Sequence, residues 1–169
     1  MKYLISFLFL ALAFSMKSEA KVTLPSILGD NMVLQQQAEV KLWGKARPNA
    51  TVTVKTSWNG QTYKSSSDGK GGWSLTVSTP VAGGPYKIIF NDGELLTLQN
   101  VLIGEVWFCS GQSNMEMPVK GFRGQPVYGS QPYIVSANPK RPLRLYTVKN
   151  NWSTTLKEEG IDGQWSEAS

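Results

Sequence analysis

The sequence contains no histidine. No Ser-His or Cys-His pair can therefore form within its 169 residues, and no histidine metal ligand exists. There is one cysteine, Cys109. An internal disulfide is excluded, and so is a zinc site built from several cysteines. Cys109 lies in an apolar run, which predicts a buried and inert thiol. Beyond the first twenty residues no long apolar run occurs, and residues 21–103 show no sustained helical periodicity. Clustered positive charge is also missing. Lys and Arg total 17 against 12 Asp and Glu, a net charge of +5, but the cations are scattered. Without a basic stripe a nucleic-acid partner is not expected, and the excess describes a solvated surface.

The first twenty residues do carry a pattern. Lys2 precedes the apolar run Leu4 to Phe14, and Ser18 and Ala20 stand at the −3 and −1 positions of a cleavage site. This predicts a secretory signal peptide over residues 1–20. The run is too short to cross a hydrocarbon core of about 30 Å comfortably. The expected location is therefore secreted or periplasmic, with no membrane attachment after cleavage. Cleavage would remove Lys2, Lys17 and Glu19 and leave a formal charge of +4. No cysteine follows the cleavage point, which argues against a lipoprotein. Two glycosylation sequons occur, at Asn49 and Asn151, relevant only in a glycosylating host.

From residue 21 onward, short alternating runs are separated by turn chemistry. Val40 and Leu42, with Gly44, share one face of Glu39–Trp43 and its continuation. Val52 and Val54 point inward from Thr51–Lys55, and Trp73, Leu75 and Val77 line one side of the next run. Asn59-Gly60 between two such runs is a hairpin signal. Tyr86–Phe90 and Leu95–Ile103 complete the set. Spacing of roughly ten residues between strands suggests an all-β, sandwich-like domain over 21–103.

The composition then changes. Glu105–Ser110 is a short, nearly continuous apolar run, as expected for a strand buried on both faces of a parallel sheet. A Pro/Gly-rich stretch follows from Pro118 to Pro142, which predicts a functional or disordered loop. Leu143–Val148 resumes a strand pattern. A partial parallel sheet leaves open edges, so residues 105–169 are expected to be poorly ordered or aggregation-prone by themselves.

The apolar run delivers Gly111-Gln-Ser113 into a turn. A serine at that place is arranged like a nucleophile elbow. Its hydroxyl projects from a sharp turn, where following backbone N–H groups can stabilise an oxyanion. The run is not G-x-S-x-G, however, so the pattern alone is weak. Ser113-Asn-Met-Glu116 equally fits a capping box at a helix start, and caps are the commoner occurrence. One residue can serve both roles.

The stretch Glu105–Glu116 resembles the nucleophile block of the sialate O-acetylesterase family, a branch of the SGNH hydrolases. Leu28–Gln35, Val40–Gly44, Gly72–Leu75, Ala82–Tyr86 and Asn100–Gly104 are similar to earlier family segments. The resemblance implies a mixed fold: a β-sandwich-like module over 21–103, then the start of an α/β flavodoxin-like hydrolase domain over 104–169. It implies Ser113 as the catalytic nucleophile, its backbone N–H contributing to the oxyanion hole. The implied substrate is O-acetylated sialic acid or another acetylated glycan, with no cofactor and no metal.

The departure from the family is the absence of its later blocks, which carry the oxyanion Gly and Asn and the catalytic Asp and His. The chain is thus expected to be the N-terminal portion of a longer enzyme, inactive alone. A downstream chain carrying the remaining blocks is an expected partner. The alternative is a non-catalytic module that binds glycan or protein. Trp43, Trp58, Tyr63 and Trp73 motivate it, although alternating aromatics more commonly fill a core.

Overall fold

The computed structural model describes residues 21–137, 142–149 and 162–167. The signal peptide expected over 1–20 and the sequon at Asn151 lie outside the described residues. Strand dominates. The first seven are β1 (Val33–Gln35), β2 (Glu39–Lys45), β3 (Thr51–Thr56), β4 (Thr62–Ser66), β5 (Gly72–Ser78), β6 (Gly83–Asn91) and β7 (Leu95–Gly104). Five of them form one sheet in the order β1-β7-β6-β3-β4, while β2 and β5 form a separate antiparallel ribbon. The pairings within the five-stranded sheet are antiparallel except that of β1, which runs parallel to β7.

Period-two alternation explains the core. Val52, Val54, Ile88, Phe90 and Val101 of the sheet are fully buried, as are Leu42 and Val77 of the ribbon. All belong to one apolar cluster. Phe90 and Trp73 meet across it with ring centroids 5.9 Å apart. The sheet and the ribbon therefore bury their apolar faces in a common core.

The Asn59-Gly60 signal does mark the β3–β4 hairpin, but the connection is longer than a two-residue turn. Thr56 N–H donates to Gln61 O at 3.1 Å, and Gly60 N–H to Thr56 O at 3.0 Å. Asn59 Oδ1 accepts the Thr56 hydroxyl at 2.6 Å and Gln61 N–H at 3.0 Å. The asparagine thus closes the loop through its side chain, while Gly60 supplies the positive φ of 68°.

One glycine is required by close approach. Gly44 faces Ala-sized space that is already occupied: an added Cβ would lie 2.2 Å from the Thr23 carbonyl oxygen. Thr23 and Lys45 exchange both backbone hydrogen bonds at 2.9 Å there. Gly44→Ala must break that bridge or push the ribbon aside. It is expected to destabilise by roughly 1–3 kcal/mol, read as a lowered denaturation midpoint. Gly69→Ala, with nothing near its added Cβ, serves as the near-neutral control.

The region after β7 is built from smaller pieces. Two short strands, β8 (Gly121–Phe122) and β9 (Gln125–Pro126), pair around Arg123-Gly124. A one-and-a-half-turn helix, α1 (Gln131–Ser136), follows, with Pro132 in its first turn, where proline is tolerated. The Pro/Gly-rich stretch is therefore a small hairpin and a helix in part, because its glycines permit the turn and its proline starts the helix. The expected strand near Leu143–Val148 is β10 (Arg144–Val148), paired antiparallel with β11 (Gly163–Glu167). This hairpin docks on the first module. Trp165 Nε1 donates to Ile27 O at 2.8 Å, Ser26 Oγ and Tyr146 Oη lie 2.6 Å apart, and Tyr146 packs against Trp165 at 5.2 Å.

Candidate active site

The path to Ser113 begins where β7 ends at Gly104. Gln36 N–H donates to the Gly104 carbonyl at 2.8 Å. Beyond it, the Glu105 carboxylate accepts Gln36 Nε2 at 2.6 Å and Gln35 Nε2 at 3.1 Å. Gln35 Oε1 in turn accepts Val106 N–H at 2.9 Å, and Gln36 Oε1 accepts Ala82 N–H at 2.8 Å. Two glutamines at the end of β1 thus clasp the chain as it leaves the sheet. Their amide donors favour the charged carboxylate, Gln36 most, and hold Glu105 below the ordinary glutamate value.

The sign of the pH effect follows. A depressed carboxylate contributes fully above its unfolded value, and that contribution is lost as pH falls through the folded one. Acidification below the ordinary glutamate range is expected to release the clasp. The Gln36 side-chain amide NMR signals should shift across that window and lose the dependence in Glu105→Gln. Unmoved signals through the same window would contradict the clasp.

The expected buried strand over Glu105–Ser110 is corrected by the structure. These residues form no strand and are exposed. Trp107 is 84 % and Phe108 92 % accessible. Cys109, expected to be buried, is exposed too. The physical reason is the same for both. A strand buried on two faces needs neighbouring strands on both sides, and among the described residues no strand pairs with this run.

Ser113 opens a three-residue 3₁₀ turn, Ser113–Met115, and is exposed. Met115 N–H donates to Gln112 O at 2.9 Å and Glu116 N–H to Ser113 O at 3.1 Å. A turn of this kind leaves the N–H groups at its start, here those of Ser113 and Asn114, without an intraturn acceptor. The capping box is not formed: Gln112 is the residue preceding the turn, and no side-chain hydrogen bond caps it. Pro118 disfavours a helical conformation at Met117, so the turn does not extend into a helix. Gly111 sits beneath Met115, whose Cγ would be 3.0 Å from an added Cβ. The result is a serine hydroxyl held outward on a short turn.

The aromatic set divides. Trp73 is buried in the core, Trp58 and Tyr63 are half-buried against it, and Trp43 alone of the four is exposed. They form no flat exposed cluster. Among the described residues, no group of three or more Cys, Asp or Glu is placed to hold a metal ion.

No family model matches the chain. Similarity to individual proteins is extensive. Human sialate O-acetylesterase is 35% identical over 156 residues, which is 83% of this chain and 28% of the human protein. The mouse sialate O-acetylesterase is 34% identical over 147 residues, 81% of this chain and 26% of its own length. The chain is a homologue of the sialate O-acetylesterases. A crystal structure of a carbohydrate acetylesterase from Xanthomonas citri superposes with a TM-score of 0.77 at 31% identity, over 88% of this chain and 33% of that one. The described strands thus reproduce an arrangement found in part of an acetylesterase. The chain spans between a quarter and a third of the length of these relatives.

The glutamine clasp escaped the sequence reading. Its partners are 69 to 71 residues apart, and no local pattern links them. The one available signal was Gln35-Gln36 at the end of a segment that resembles the family.

Proposed function

We propose that the chain supplies the nucleophile-bearing part of a secreted or periplasmic carbohydrate O-acetylesterase, acting on O-acetylated sialic acid or a related acetylated glycan. The observation that carries this reading is Ser113, exposed at the opening of a tight turn in a chain homologous to acetylesterases. In the proposed reaction Ser113 Oγ attacks the acetyl carbonyl carbon while a base removes its proton. The Ser113 backbone N–H donates to the carbonyl oxygen as it gains charge. The sugar hydroxyl leaves with a proton, giving an acetyl-enzyme. Water then attacks that ester, and acetate departs as the serine regains its proton.

This reading keeps residues 21–103 as a sandwich-like module and 104–169 as the beginning of a hydrolase domain. The base must come from elsewhere, because the sequence holds no histidine. A second polypeptide carrying the remaining part of the relatives' length is its proposed source. The test is acetate release from O-acetylated sialic acid by residues 1–169, alone and mixed with such a polypeptide. Release that appears on mixing and vanishes in Ser113→Ala supports the reading. Release indifferent to Ser113→Ala sinks it.

A further inference from the structure

We infer that Glu105 and Arg144 are positioning residues for Ser113. They pin the chain to one parallel strand pair, Glu105 where it leaves towards the serine and Arg144 where it returns. The role of Ser113 itself rests on the acetylesterase reading; the two attachments rest on geometry.

Both attachments lie on β1 and β7, where Val33 pairs with Leu102 and Gln35 with Gly104. At the Gln35–Gly104 end, the Glu105 carboxylate accepts an amide N–H from each of Gln35 and Gln36. Gln35 Oε1 accepts the next backbone N–H, that of Val106. Side chain and backbone together therefore set the direction in which the chain departs. At the other end, Asn100 of β7 donates Nδ2–H to Asn31 Oδ1 at 2.7 Å, just before β1 begins. Arg144 Nη2 donates to Asn100 Oδ1 over a longer 3.5 Å and lies 3.0 Å from Glu167 Oε1 of β11. Asn31 to Gln35 spans about 13 Å at a strand's rise, so exit and return are held a short, fixed distance apart.

Stability does not account for either attachment. Glu105 is exposed, where water would serve its charge about as well. The Arg144 side chain is 6 % accessible, and its Nε has no partner among the described residues. Burying a cation costs solvation that a single ion pair often fails to return. Asn31 and Asn100 hold φ of 66° and 54°, a region that residues with side chains keep only where their surroundings impose it.

What the two attachments share is the stretch between them. Ser113 stands eight positions beyond Glu105. Among the described residues no strand pairs with the intervening run, and the backbone N–H groups of Trp107 to Gly111 find no backbone acceptor. With so little holding the run itself, the place of Ser113 depends on how its ends are held. A misplacement of about 1 Å at a reacting group can cost about 10²-fold in rate.

The test reads position and turnover separately. Exposed Cys109 lies between Glu105 and Ser113 and takes a nitroxide label directly; Lys64→Cys, at an exposed site on β4, takes the second. Pulsed electron spin resonance on the full chain should give one narrow distance distribution. Glu105→Ala and Arg144→Met should each widen it. Glu105→Gln should widen it too, because an amide then faces the Gln36 amide, and Gln36→Glu added to Glu105→Gln should restore it. With the histidine-bearing polypeptide supplied, Glu105→Ala and Arg144→Met should lower kcat about 10²-fold and leave KM near its original value. A distribution already broad in the unsubstituted chain overturns the proposal. So does one that neither variant widens, or widening with kcat unchanged. The distances need no ester turnover, so absence of acetate release from the unsubstituted pair sinks the esterase reading while the attachments are still decided by the labels.

Discussion

Ser113→Ala is expected to lower acetyl-ester hydrolysis by about 10⁴-fold or more once a histidine-bearing partner polypeptide is supplied. The same substitution should change almost nothing in residues 1–169 alone. The asymmetry is the informative part. A serine hydroxyl is a poor nucleophile until a base takes its proton. Removing either member of such a pair costs nearly as much as removing both, so losses are not additive. With no histidine in the sequence, the unpartnered chain already lacks that base. A 10⁴-fold loss corresponds to about 5.4 kcal/mol of transition-state stabilisation, well outside assay error. The check is kcat/KM for acetate release, measured with and without the partner polypeptide for both serine and alanine chains. A large Ser113→Ala effect in the unpartnered chain would show that another base acts, and would overturn this account.

Phe90→Ala is expected to destabilise the chain by about 3–5 kcal/mol. Phe90 is fully buried on β6, the strand that pairs with both β3 and β7. Its ring lies against Trp73 of the ribbon, so one side chain joins the two β-structures. Truncation removes apolar contact from both and leaves a cavity that neither can close without disturbing its own ladder. Small domains are stable by about 5–15 kcal/mol, so this one change removes much of the margin. Phe90→Leu, which keeps most of the volume, should cost about 1.5 kcal/mol or less. Chemical denaturation followed by tryptophan fluorescence reads both. A Phe90→Ala loss below about 1 kcal/mol would mean that sheet and ribbon do not share a core.

Much of the β-structure was legible because its signals are local. Alternation at Val52-Thr-Val54 and at Trp73-Ser-Leu75-Thr-Val77 reports which face is buried, and Asn59-Gly60 reports a reversal. Each needs only neighbouring residues. Glu105–Ser110 shows where that logic stops. Its apolar content suggests a buried strand, yet Trp107 and Phe108 are exposed. Burial is a property of what packs against a segment, and the segment's own composition cannot report it. The capping box at Ser113–Glu116 failed for a related reason: Pro118 follows too closely for a helix to develop, so the serine heads a 3₁₀ turn instead.

What the sequence determined by itself is the strand set of residues 33–104, the position of Ser113 and the lack of any histidine to act on it. Composition and short-range periodicity carry these, and they need no third dimension. What only the tertiary structure decided is how Gln35 and Gln36 clasp Glu105, how Trp73 of the ribbon meets Phe90 of the sheet, and where the β10–β11 hairpin docks on Ser26 and Ile27. These contacts join residues tens of positions apart. Their existence depends on strand order and register, which the chain settles only by packing as a whole.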